Sequence, residues 1–102
     1  MPAKLTLVVL LFVDPDGRDD FECFESAAAR SMGRYGGRIE RRISFPASDG
    51  ASEPHEMHVV TFPDRESFTR YRDDPDLRAL AAVRERAIRR TVVWEGVDVA
   101  PF

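Results

Sequence analysis

The chain has a single cysteine, Cys23, so it can close no disulfide within itself and gives no sign of an oxidising compartment. It also lacks a long apolar run. The stretch from Leu5 to Val13 is far shorter than the roughly 20 residues that span a bilayer, has no small-residue cleavage site after it and ends in a charged turn at Asp14. A cytoplasmic protein without a membrane segment is expected. Positive charge is not in excess: the formal net charge is -3 and the pI near 5.3, whereas nucleic-acid binders present a basic face and a pI above about 9. Nucleic acid is therefore not an expected partner. There is no internal repeat, phosphate loop, dinucleotide fingerprint or serine-histidine-acid arrangement. Two histidines, His55 and His58, without a third ligand at a recognisable spacing make a poor case for a metal, so none is expected.

What is present is one domain with one core, residues 1–102. A chain of this length buries roughly two thirds of its unfolded surface in a single unit. Its 43% apolar and 32% charged residues are those of an ordinary globular protein, which sets disorder aside.

Leu5 to Val13 is apolar at odd and even positions alike, the pattern of a strand covered on both faces. Asp14-Pro15-Asp16-Gly17 is a turn, with Asp19 or Asp20 as the cap of a following helix. Phe21, Phe24, Ala28, Met32 and Tyr35 form one stripe on that helix, Cys23 faces away from it, and Gly36-Gly37 ends it. From Arg38 to Phe45 the period becomes two: Ile39, Arg41, Ile43 and Phe45 share one face, and Arg38, Glu40, Arg42 and Ser44 the other. This reads as an edge strand. A loop, Pro46 to Pro54, leads to a strand at Met57 to Phe62. Pro63-Asp64 then opens a helix with Phe68 and Tyr71, and Asp74-Pro75 starts a further helical run through Leu77, Leu80, Ala81, Arg84 and Ile88. Thr91 to Glu95 is the fourth strand, closed by Gly96.

The order strand, helix, strand, strand, helix, strand is the α+β, ferredoxin-like βαββαβ pattern. It predicts a four-stranded antiparallel sheet of order 4-1-3-2 with both helices on one face. The opposite face then carries apolar residues with nothing to cover them, which predicts a homodimer packed sheet toward sheet.

Tyr35-Gly36-Gly37-Arg38, Phe62-Pro63-Asp64 with Glu66 and Phe68, Tyr71 with Asp74-Pro75, Arg84, and Glu95-Gly96-Val97 together resemble the small dimeric α/β-barrel proteins. Within them the chain is most similar to a bacterial domain-of-unknown-function family related to antibiotic-biosynthesis monooxygenases. The resemblance covers about residues 5 to 97 and implies a ligand cleft between the sheet and the helices. The superfamily includes cofactor-free monooxygenases acting on aromatic polyketides, muconolactone-type isomerases, haem-degrading enzymes and members of no assigned activity. The resemblance transfers fold better than function, and the nearest family supplies no agreed catalytic residues. No cofactor is expected.

Five residues are candidates for chemistry. Arg84 falls among Leu77, Leu80, Ala81 and Ile88 on one helical stripe, where a charge needs an anionic partner. That partner is either a ligand carboxylate or enolate, or an internal acid such as Glu40 or Glu95. His58, on a strand face with Val60 and Phe62, is either a general base or a hydrogen-bonded core histidine. A haem ligand is a weaker reading of it. Tyr71 and Trp94 either line an apolar cleft or simply pack. Arg42 reaches the cleft mouth or stays a solvated edge charge. Three functions follow: a cofactor-independent oxygenase or isomerase of an apolar acid or phenol, a dimeric module that binds a small apolar or anionic metabolite, or a structural dimer.

Overall fold

The β-branched run at the start of the chain forms β1 (Leu5–Val13), and pairing on both its edges makes it a central strand of the sheet. The structure, a computed structural model, describes residues 4–102. After β1 come a short 3-10 turn (Pro15–Gly17), α1 (Arg18–Gly33), β2 (Arg38–Ser44), β3 (Glu56–Phe62), α2 (Arg65–Arg72), α3 (Pro75–Arg78), α4 (Ala81–Ala87) and β4 (Ile88–Gly96). All pairings are antiparallel, in the order β2-β3-β1-β4. This is the expected 4-1-3-2 sheet read from its other edge.

Odd-numbered residues of β1 face the helices. They pack in two clusters, one of Leu11 and Val13 with Phe21, Phe24 and Ile88, the other of Leu5 and Leu7 with Met32, Val60 and Phe62. Val9 touches both. The even residues Val8 and Leu10 lie on the far face, across from Val59 and Met57 on one side and Trp94 and Val92 on the other. Phe12 is the exception to their half-burial, because the Arg90 guanidinium covers its ring at 4.1 Å.

Three expectations need correcting. In β2 the register shifts between Ile39 and Arg41, so Glu40 is the extra residue of a β-bulge. Ile39 therefore pairs with Val60 on the helix side, Ile43 with Met57 on the far side, and Arg42 with His58 beneath the helices. Strict alternation placed Ile39 and Ile43 together. The second helical region is three short helices, and Ile88 belongs to β4, which starts three residues earlier than expected. Finally, the side-chain cap before α1 is Asp14, which accepts from Asp16 N at the 3-10 turn, while Asp19 and Asp20 sit in the first turn of α1.

The helix ends are fixed by short-range chemistry. Gly36, at φ 75°, takes the left-handed turn after α1. Asp64 caps α2 through Ser67 N at 2.8 Å. Asp74 caps α3 through Asp76 N and Leu77 N, accepts from the Tyr35 hydroxyl at 2.6 Å and binds Arg34 at 3.0 Å. It thereby ties the end of α1 to the start of α3. Among the described residues no helix is long and apolar enough to cross a membrane.

Candidate functional site

The two core clusters leave a space between the sheet and the helices. It holds about 410 Å³, with β1 and β3 as its floor and side chains from α1 to α4 as its walls. Most of the lining is apolar, including Leu7, Val9, Phe24, Val60 and Phe68. Against that background the polar groups are few, and they converge.

Glu25 projects from α1 into the cavity. Burial, joined by the negative charge of nearby Glu56, pushes its carboxyl up to about 7. His58, on β3, has its Nδ1 3.8 Å from Glu25 Oε2 and its Nε2 2.7 Å from Glu56 Oε1. Glu56 is 1% exposed. Burial alone would raise its carboxyl, but hydrogen bonds from Arg42 and His58 outweigh it and hold Glu56 below the usual range. Arg42 grips Glu56 as a fork, with Nε on Oε1 and Nη2 3.0 Å from Oε2, and reaches on to Glu22 at the surface. The result is a continuous line, Glu22, Arg42, Glu56, His58, Glu25, from solvent to the cavity.

Tyr71, from α2, also lines the cavity, and its hydroxyl is pushed up to about 12, chiefly by burial. At neutral pH it is a proton donor. Arg84 also lines the cavity, donates to Thr91 Oγ1 at 2.9 Å and, among the described residues, makes no ion pair. The internal partners considered for it are engaged elsewhere: Glu40 accepts from Thr61 at 2.9 Å, and Glu95 pairs with Arg65. Arg72 and Arg78 complete a basic rim.

Of the sequence candidates, His58, Tyr71 and Arg84 meet at one cavity. Arg42 stands behind Glu56 and does not line it. Trp94 is directed to the far face of the sheet, across from Val8, and is 60% exposed, so it lies outside the cleft that β4 helps to close. His55 packs against Phe21, the two rings nearly perpendicular with centroids 5.7 Å apart. No group of three His, Cys, Asp or Glu side chains is arranged to hold a metal among the described residues.

Glu25 and Glu56 were missed by sequence reasoning, yet both left a signal. Glu25 follows Phe21 by four residues and precedes Ala28 by three, inside the apolar stripe. Glu56 shares its strand face with His58, Val60 and Phe62. The test of a charge at an apolar position, applied to Arg84, selects both.

A family model described as a domain of unknown function, DUF1330, matches residues 7–97. Among solved structures, a protein of unknown function from Rhodopseudomonas palustris is similar with a TM-score of 0.81 and 13% identity, over 99% of this chain and 86% of that one. A cofactor-independent oxygenase from Streptomyces nogalater is similar at 0.69 and 14%, over 96% and 95%. A dimeric ferredoxin-like protein of unknown function from Thermobifida fusca is similar at 0.67 and 15%, over 94% and 92%. At these identities the likeness establishes the fold. No curated protein matches the chain.

Proposed function

This chain belongs to the DUF1330 family, a domain of unknown function, and on that premise we propose that its cavity binds a small, mainly apolar molecule and removes a proton from it. The carrying observation is Glu25, a carboxyl held near neutrality in an apolar cavity with His58 and Arg84 beside it. A base tuned close to the working pH is the most effective proton acceptor.

The substrate class is a phenol, an enol or a carbonyl compound with an acidic C–H. Its O–H or C–H bond breaks, the electron pair stays on the substrate as phenolate or enolate, and the proton passes to Glu25 with His58 as second acceptor. Arg84 and the Tyr71 hydroxyl stabilise the anion, an effect worth about 3 kcal/mol per well-aimed donor. Reprotonation at another carbon gives isomerisation. Capture by dioxygen gives oxygenation, the activity named for the similar Streptomyces nogalater protein. A panel of phenols and lactones under air and under argon is the test. Turnover lost in Glu25→Gln supports the reading, and saturable binding without any turnover defeats it in favour of a binding module.

The same reading takes the protein as a homodimer. Val8, Leu10, Val59, Val92 and Trp94 are together on the uncovered sheet face, and one similar structure is described as dimeric. A light-scattering mass of one 11.6 kDa chain at micromolar concentration would overturn this.

A further inference from the structure

We propose that Glu56 is a positioning residue: it fixes His58 as the Nε2-protonated tautomer, turning the Nδ1 lone pair toward Glu25 so that Glu25 and His58 share a single proton. The functional meaning of this pair rests on the proton-transfer reading above, but its test does not.

The Arg42 fork fixes the charge of Glu56. Both oxygens of Glu56 accept from one guanidinium, Oε1 from Nε and Oε2 from Nη2. A guanidinium cannot give up its proton in a protein, so Glu56 is ionised and acts only as an acceptor. His58 Nε2 lies 2.7 Å from Glu56 Oε1, and a contact with a pure acceptor requires Nε2 to carry the hydrogen. In the neutral ring Nδ1 is then bare. It is the nitrogen that faces Glu25, whose Oε2 is 3.8 Å away.

That distance is about 1 Å longer than a hydrogen bond. A bridging water, a ligand hydroxyl or a small rotation of the Glu25 carboxyl closes it. The proton on Glu25 then has an acceptor in Nδ1. If it crosses, His58 becomes imidazolium between two carboxylates. Either way the pair holds one proton, and a ligand proton is accepted only after that one has left.

The charged and titratable groups around His58 come from every packed element. Glu56 lies on its own strand with His55 just before it, whose Nε2 is 3.9 Å from Glu56 Oε2; Glu25 lies on α1, Arg42 on β2, Tyr71 on α2 and Arg84 on α4. Arg42 and Glu22 lie behind Glu56, and the Arg42 guanidinium offsets part of the Glu56 charge that acts on Glu25. The consequence is a gate: the cavity takes up a ligand proton increasingly as pH rises through neutrality.

The experiment is nitrogen-15 spectroscopy of histidine-labelled protein, with His55→Gln assigning the two rings. In wild type slightly above neutral pH, the expected result is a protonated His58 Nε2 and a bare Nδ1. Glu56→Met, of similar length but without an acceptor, moves the proton to Nδ1, against Glu25. Glu25→Gln, which takes away the carboxyl proton but not the Glu56 acceptor, leaves Nε2 protonated and changes the Nδ1 shift. A wild-type His58 protonated on Nδ1 with a bare Nε2 overturns the proposal, as does a folded Glu56→Met variant that keeps its proton on Nε2. If that variant fails to fold, the wild-type spectrum and Glu25→Gln decide alone. A correct tautomer with no turnover on any phenol or lactone leaves this assignment standing and removes the proposed function.

Discussion

The Arg84 guanidinium donates to the Thr91 hydroxyl at 2.9 Å, joining α4 to the strand that follows it. Its partner is neutral and the side chain is exposed. Arg84→Met is therefore expected to change stability by about 0.5 kcal/mol or less, where breaking a buried ion pair would cost about 3 to 5 kcal/mol. In a thermal-shift screen, aromatic carboxylates and phenols should stabilise wild type and not the variant. A large loss of stability with no ligand response in either protein would remove Arg84 from the site.

Glu25 gives the protein a stability that declines with pH. Its carboxyl is raised from 4.5 to about 7 on folding. Between these values the native state holds a proton that the unfolded chain has released. The contribution is thus full below about 4.5, worth about 3 kcal/mol relative to high pH, and lost as pH rises through about 7. Chemical denaturation from pH 5 to 8 should show this fall in wild type, and Glu25→Gln should flatten it. Glu56, shifted the opposite way, loses its contribution only on the acid side.

Phe21 and Phe24 are one helical turn apart and differ in what surrounds them. Phe21 is fully buried, whereas Phe24 borders the cavity. Phe21→Ala should cost about 4 kcal/mol and Phe24→Ala about 3 kcal/mol, because only the first opens a wholly new void. Urea midpoints compared at equal slope test the order.

Gly50 anchors the long loop against the end of β1. It has φ 74°, and a Cβ there would lie 1.9 Å from the Val13 carbonyl oxygen. Gly50→Ala should destabilise by more than the roughly 1 to 3 kcal/mol of left-handed strain alone, and hydrogen exchange should rise first at His55 N, which bonds the Leu11 carbonyl at 2.8 Å.

Strands and sheet order were legible because β1 and β3 carry their apolar residues in runs that only a central strand explains, and Gly36 and Asp74 punctuate helices in ways that need no tertiary context. The site was half legible. Arg84 and His58 stood out as polar side chains among apolar neighbours, while Glu25 passed unnoticed because a stripe counted by its apolar members conceals the acid inside it. Trp94 was misplaced for want of the register with Val8, which depends on a partner strand distant in sequence. The break of the second helical region into α2, α3 and α4 was partly announced by Pro75, but no residue marks the start of β4 at Ile88.

The bulge at Glu40 has no sequence signature either, and its effect reaches the cavity. A strand has two sides, and one surplus residue exchanges them for everything downstream. Were Glu40 paired in the ladder instead of bulged, the strand would alternate without interruption: with Ile39 kept on the helix side, the guanidinium of Arg41 instead of Arg42 would fall two residues along from it, toward Glu56. The hairpin would then have to reach its loop one residue sooner. The surplus residue thus works as a spacer in the frame of the edge strand, matching the reach of Arg42 to the depth of a carboxylate that only a cation can keep charged.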